Sequence, residues 1–434
     1  MAANTHVYIQ KSGTDNKKKG TYSLWLKRSL ISSQQYVIGN LNDANNYGYI
    51  RFKADDILQV LSFYSSATNA SLKTNRKFRD TNAWYHIVVR IDMAQAATND
   101  RMRLYVNGVE ETSYSAQTAS SDVNNGLLIN SASTGHRIAS QDTVTNERFD
   151  GLISHVHYCD GYSYGPEEFG ETDSTTGQWK IKTNPSVSYG STGYFMFKDN
   201  ASLNDQSGNS NNFTAGGGGA PTPTVDNPSN VFATWNALVP KGTFSNGNTV
   251  WTSAATGDGS AFSTLGAEAG KYYMECKITN ANASGWELGV APVTRLDGVS
   301  SGVGTSTVGG VGYTGDGFIR REGTTVASGL TTFAQNDIIS CALDMDTRKV
   351  YFYKNGTILN SGTGVDLPST TGPYVFATGD WYSAVSTSAS ANFGNGYFGT
   401  TAISSEGTNA SGIGKFEYDV PTGYTALSTK GLNE

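Results

Sequence analysis

The chain has 434 residues, a net charge of −6, and 50 glycines. Aromatic residues make up 11% and charged residues 16%, below the usual quarter, so the composition does not build amphipathic helices with Glu, Lys and Arg faces. The acidic balance supplies no basic face for a phosphate backbone, and no run of eighteen apolar residues reads as a membrane-spanning helix, so neither nucleic acid nor membrane insertion is expected.

The first stretch, "ANTHVYIQKSG", alternates and reads as an N-terminal arm, residues 1–19, able to add a strand to a neighbouring subunit; a homo-oligomer is expected. It lacks the apolar centre of a signal peptide, which predicts synthesis in a cytoplasm without Sec export. Lys17, Lys18 and Lys19 fall in a solvated turn. From residue 20 to 215, strand-like runs alternate with turns. "TYSLWLKRS" puts Tyr22, Leu24 and Leu26 on one face, "AWYHIVVRID" leads through a polar loop to "MRLYVNGVEE", and "DGLISHVHYCDG" alternates again. A domain of this size and pattern needs two packed antiparallel sheets. "TAGGGGAPTPTVDNPSN" then breaks the pattern, its glycines flexible and its prolines stiff, and marks a Gly/Pro-rich linker over 216–234. Residues 235–434 repeat the style in "GKYYMECKITN", "WELGVAP", "GGVGYTGDGF", "NDIISCALDMDTRKVYFYKNGTIL" and "FEYDVPTGYTAL".

Asn107-Gly108 and Asn355-Gly356 are two-residue hairpin signals, each preceded by an apolar strand ending in Asp and a polar turn. The residues around them do not match, so two different modules share one hairpin chemistry. The predicted fold class is all-β: two antiparallel β-sandwich (jelly-roll) domains joined by the linker. Cys159, Cys276 and Cys341 lack metal-ligand spacing and read as buried free thiols, and Trp25, Trp84 and Trp286, flanked by strand residues, read as core.

These residues carry a resemblance. "YSLWLKRS", "FRDTNAWYHIVVRID", "LYVNGV" and "FDGLISHVHYCDG" make residues 20–215 resemble a laminin-G-like jelly roll of the concanavalin A type. "FGETDSTTGQWKIK" followed by "YFMFKDNASLNDQSGNSNNFT" is similar to a pattern of marine tailed-phage virion proteins. "GKYYMECKIT", "ELGVA", "GVGYTGDG", "DIISCALDMDTRKVYFYKNG", "NFG" and "PTGYTAL" make residues 235–434 resemble a SPRY domain. The resemblance implies a sandwich in each half and a virion component, which needs no export signal.

Concanavalin-like sandwiches include glycan hydrolases, whose chemistry needs two carboxyl groups at fixed separation. No Glu-x-Asp-x-x-Glu string occurs; Asp344 and Asp346 sit at a strand end suited to turn capping, and Glu147 and Asp150 precede a strand at the surface. No enzyme is expected, with a polysaccharide-degrading sandwich as the alternative. His155 and His157 share a strand face without a third metal ligand, and read as neutral histidines on a half-exposed strand. Asp199, Asn200, Asn204, Asp205 and Asn209 offer oxygens of the kind calcium takes, so Asp199 and Asp205 are candidate metal ligands in what is otherwise a capped turn. No phosphate loop and no nucleophile triad is assembled. For sugar recognition, aromatic faces beside hydrogen-bonding groups on sandwich loops are required, and Tyr313, Asp316, Trp381 and Tyr382 are the candidates. The expected protein is a non-catalytic virion component, fibre tip, tail-associated adhesin or head-surface appendage, whose partners are other virion proteins and host-surface polysaccharide.

Overall fold

The computed structural model describes residues 6–9, 16–118, 127, 135–141, 147–199, 201–239, 241–254, 259–280, 285–295, 301–380 and 386–433. It forms two compact units, Met1–Pro223 and Thr224–Glu434. Among the described residues there is no α-helix; antiparallel strands joined by turns build both units, as alternating β-branched and aromatic residues between Gly, Asn and Asp turns require.

In the first unit an eight-stranded sheet runs in the order Tyr114–Thr118, Ala67–Lys77, Ile57–Tyr64, Asn46–Phe52, Gln35–Asp43, Gly135–Ile138, Val7–Ile9 and Thr214–Ala215. A six-stranded sheet faces it, ordered Tyr194–Met196, Gly151–Asp160, Lys19–Arg28, Trp84–Asp92, Met102–Val106 and Val109–Glu110. Tyr22, Leu24, Leu26, Ile87 and Val89 from one sheet meet Ile38, Ile50, Phe52, Val60 and Leu72 from the other in a single buried core. At its edge the Arg28 guanidinium, fully buried, lies 3.1 Å from Asp56, which Arg79 also contacts at 3.0 Å.

The strand expected to reach a neighbour is used at home. Val7–Ile9 pairs with Gly135–Ile138 on one side and Thr214–Ala215 on the other, because Val7 belongs to the core of its own unit. The other end of the predicted linker is likewise claimed. Phe232 and Ala233 are buried in the second unit, and the Ala233 N–H donates to the Leu427 carbonyl.

The second unit packs a sheet containing Lys271–Ile278, Ile338–Asp344, Lys349–Lys354 and Ser388–Asn392 against one containing Gly259–Ala267, Trp286–Pro292, Val311–Thr314 and Tyr374–Asp380. Each sheet also has its outer face covered. Phe262, Ala291, Val375 and Ala377 lie beneath Val303 and Val308, while Tyr273 and Ala342 lie beneath Phe416, Val420 and Tyr424. The outer face of the six-stranded sheet in the first unit is roofed too, by Phe169, Trp179 and Tyr189 over His157 and His86.

The two Asn-Gly turns agree in detail. Asn107 and Gly108 have φ of 49° and 80°, Asn355 and Gly356 of 47° and 77°, the left-handed pair of a type I′ hairpin. Each Asn Oδ1 accepts a partner-strand N–H at 2.8 Å, from His86 and from Ile338. A Cβ on Gly108 would sit 2.5 Å from the Trp179 ring, and one on Gly356 would sit 2.6 Å from Tyr418. Glycine is needed for conformation and for space at once. Cys159, Cys276 and Cys341 are buried free thiols, and Trp25, Trp84 and Trp286 are buried.

Candidate binding site

Of the sequence-predicted set in the second unit, Tyr313 and Asp316 fall among the described residues, and both are engaged within the fold. Tyr313 lies in the strand Val311–Thr314 with 0% exposure, its ring edge-on to Phe333 at 4.5 Å and its hydroxyl donating to the Thr331 carbonyl. It is core. The surrounding glycines suggested a loop, but Val311 and Tyr313 alternate at the strand period and both face inward. Asp316 occupies the turn that follows, where Arg320 holds both its oxygens at 3.0 and 3.3 Å and Thr314 donates its hydroxyl. Trp381 and Tyr382 lie outside the described residues.

Of the acidic residues that sequence raised as catalytic candidates, Asp344, Asp346 and Glu147 are turn and strand partners, while Asp150, expected at the surface, is partly buried, which raises its pKa. Asp344 pairs with Lys271 at 3.0 Å and accepts the Thr347 N–H, and Asp346 accepts the Gly270 N–H. Glu147 accepts from Gln34 at 2.7 Å. Two deeper carboxyl groups were not legible in the sequence. Glu275 accepts the consecutive N–H groups of Glu417 and Tyr418, both at 2.9 Å, and Glu287 accepts those of Val303 and Gly304. Each pins a covering segment to its sheet. Burial drives both pKa values up to about 7, with the N–H donors offsetting only part of that. Their donors stand far along the chain, which is why spacing could not reveal them.

His155 and His157 are not half-exposed. A bulge between Ser154 and His157 breaks the alternation, His155 takes φ 48°, and both rings are buried. His157 stacks on Phe195 with centroids 4.0 Å apart and bonds the Tyr189 hydroxyl at 2.9 Å, while His155 bonds Ser154 at 2.7 Å. Asp205 accepts the N–H groups of Phe195, Ser207 and Asn211 and the Ser207 hydroxyl, so N–H and O–H donors surround the carboxylate proposed for calcium. Asp199 accepts from Gln206 at 3.0 Å, and Asn200 lies outside the described residues. Among the described residues, no group of three or more His, Cys, Asp or Glu is placed to hold a metal ion.

An aromatic group at a cleft lies elsewhere, in the first unit. The hairpin formed by Gly170–Thr172 and Trp179–Ile181 folds over the Asn107-Gly108 turn. Between them is a cleft of about 470 Å³ lined by Asn107, Gly108, Val109, Thr172, Gly177, Gln178 and Trp179. Trp179 is half-buried, and its indole N–H donates to His86 Nδ1 at 2.9 Å. An indole nitrogen only donates, so His86 Nδ1 carries no proton and Nε2 does, which sends the Nε2–H to the Ser23 hydroxyl at 2.8 Å. Burial pushes the His86 pKa down to about 3, consistent with this neutral tautomer. Sequence reasoning passed over Trp179 because "GQWKIK" has no alternation of its own; the isolated aromatic in a polar stretch was the available signal. A second aromatic group, Tyr36, Tyr47, Tyr49 and Phe63, lies on the eight-stranded sheet with Arg51 over the Tyr36 and Tyr49 rings, but Gln59 and the Tyr36 hydroxyl already engage that guanidinium.

Residues 2–161 match a laminin G family of the concanavalin A-like lectin/glucanases superfamily, and residues 271–391 match the SPRY domain family. The chain therefore carries a concanavalin A-like domain and a SPRY domain, and its two β-sandwiches are those of these classes. Among solved structures it is similar to the SPRY domain of human HERC1, at 22% identity over 33% of this chain and 87% of that one, with TM-score 0.28. It is also similar to the native heptameric SAP-like pentraxin from Limulus polyphemus (14% identity, 37% and 72% covered, TM-score 0.29) and to the TRIM65 PSpry domain (12%, 37% and 88%, 0.28). No curated protein sequence matches the chain.

Proposed function

We propose that the chain is a non-catalytic binding protein of a bacteriophage particle, a fibre tip, tail-associated adhesin or head-surface appendage, that attaches to host-surface polysaccharide or to other virion proteins. A lectin-like domain and a SPRY domain in one chain support a binding or adhesive role. The observation that carries the reading is the cleft beside Trp179, where an aromatic ring stands among uncharged hydrogen-bonding groups. Hydrolysis of a glycan would need two carboxyl groups facing each other across open space, about 5 to 9.5 Å apart. The deeply buried Glu275 and Glu287 are instead each closed on backbone N–H groups.

Mass spectrometry and cryo-EM of purified particles test the placement, with the chain expected among the structural proteins; its absence from particles refutes it. A reducing-end release assay on host polysaccharide tests the second half. No release is expected, and turnover that survives purification would refute the non-catalytic reading.

A further inference from the structure

We propose that the cleft between the Asn107-Gly108 turn and the hairpin ending in Trp179 binds one or two pyranose units of a neutral saccharide. The inference rests on the binding reading above and gives it a location. Its volume, about 470 Å³, falls within the range of small-molecule sites. No charged side chain lines it, and the neighbouring Lys180 is paired with Glu171 at 3.3 Å and Asp173 at 3.4 Å. Phosphate, sulfate and carboxylate ligands therefore find no counter-charge in the cleft.

Trp179 is a fixed platform. Its only polar atom is directed to His86, and its ring lies against Gly108 and Gly170, where a Cβ would come within 2.5 and 2.6 Å. What remains of the ring along the cleft is apolar surface, suited to the C–H face of a sugar. Val109 on the rim, 65% exposed, extends that apolar edge. Around it, the Thr172 hydroxyl and the Gln178 side-chain amide have no hydrogen-bond partner among the described residues. Among the described residues, the Asn107 side chain bonds through Oδ1 alone, with its Nδ2 donors left for a ligand. One apolar face ringed by neutral donors and acceptors is complementary to a polyhydroxylated ring that is itself apolar on one side. Because the platform is locked before any ligand arrives, binding does not have to order it.

The test is a titration of the full chain followed by TROSY spectra, with cellotetraose, laminaritetraose and chitotetraose as neutral probes and a chondroitin sulfate tetrasaccharide as the anionic probe. The Trp179 indole N–H signal is assigned by its loss in Trp179→Phe. At least one neutral probe is expected to shift that signal and the Gly108 amide, and Gln178→Ala to weaken the interaction about fivefold or more with no change in melting temperature. Shifts confined to other residues would overturn the cleft and leave glycan binding standing. Preference for the sulfated probe would overturn its neutrality. No shift with any probe up to about 10 mM, the regime of the weakest specific binding, would overturn the saccharide site, while the particle experiment still decides the broader reading.

Discussion

Replacing Glu287 by glutamine should change how the second unit's stability depends on pH, and the size of the change follows from the carboxyl group's surroundings. Glu287 is sealed beneath the segment carrying Val303 and Gly304, and burial raises its pKa from 4.5 to about 7. A tenfold change in proton affinity is worth about 1.4 kcal/mol, so the difference amounts to about 3 kcal/mol. The folded state holds this proton more tightly than the unfolded state does. The contribution is therefore full below pH 4.5 and is lost as pH rises through about 7. Glu275 adds a comparable loss over the same window. All five histidines, His6, His86, His136, His155 and His157, lie in the first unit, so no imidazole titrates in the second. In Glu287→Gln the amide oxygen still accepts one N–H while the amide nitrogen opposes the other, a cost of about 1–3 kcal/mol at every pH. In exchange, the burial of an ionised carboxylate disappears. The variant should be less stable than the native chain near pH 5 and level with it or better near pH 8, the two curves crossing between. Hydrogen exchange of the slowest amides in Lys271–Ile278 and Trp286–Pro292 reads this directly. A native profile flat across that range, or a variant deficit of equal size at both ends, would refute the reasoning.

Three further outcomes are expected. His86→Ala should release the Trp179 indole, red-shifting its fluorescence and lowering the first unit's melting temperature. In the native chain the same shift should grow as pH falls from 6.5 toward about 3, because burial lowers the folded-state pKa and the unfolded state takes up the proton first. Arg28→Ala leaves the buried Asp56 with the half-exposed Arg79 and the Ser32 N–H and should cost about 3–5 kcal/mol in denaturant titrations. Gly356→Ala should cost more than the roughly 1–2 kcal/mol of a left-handed residue, since its Cβ would also strike Tyr418, whereas Gly423→Ala, at φ 83° with nothing within 4 Å, should cost only the backbone part.

The strands, hairpins and core tryptophans could be read from the sequence because they are governed by near neighbours. Val350 and Phe352 alternate with Tyr351 and Tyr353, and Asn355-Gly356 closes the hairpin beside them. What failed was exposure. Tyr313 looked like a loop residue because glycine punctuates "GGVGYTGDGF", yet those glycines admit close sheet contacts: a Cβ on Gly312 would meet the Glu287 carboxyl at 2.5 Å. His155 and His157 do lie side by side, their rings 6.4 Å apart and both against Phe195, but the aromatic cover that buries them cannot be read from their own strand. The covering segments were illegible for a different reason. A sandwich face read from alternation looks solvent-facing, and only long-range partners such as Glu275 with Glu417, or His86 with Trp179, disclose that something lies over it.

Both units bring their own ends together. Val7 and Tyr8 pair with Ala215 and Thr214, and Phe232 bridges to Ser428 while Ala233 bonds Leu427. On the ribosome this imposes an order. The opening strand of the first unit emerges nearly a whole unit before the strand that will lie beside it, and it must wait with one edge bare. That edge is closed just as the glycine-rich stretch appears, before the second unit's strands exist to compete for it. The second unit then repeats the wait, its entry segment unsealed until Leu427 and Ser428 have emerged. Two long-range sandwiches of slow topology are thus completed one after the other, which limits the time during which their similar strands can mispair.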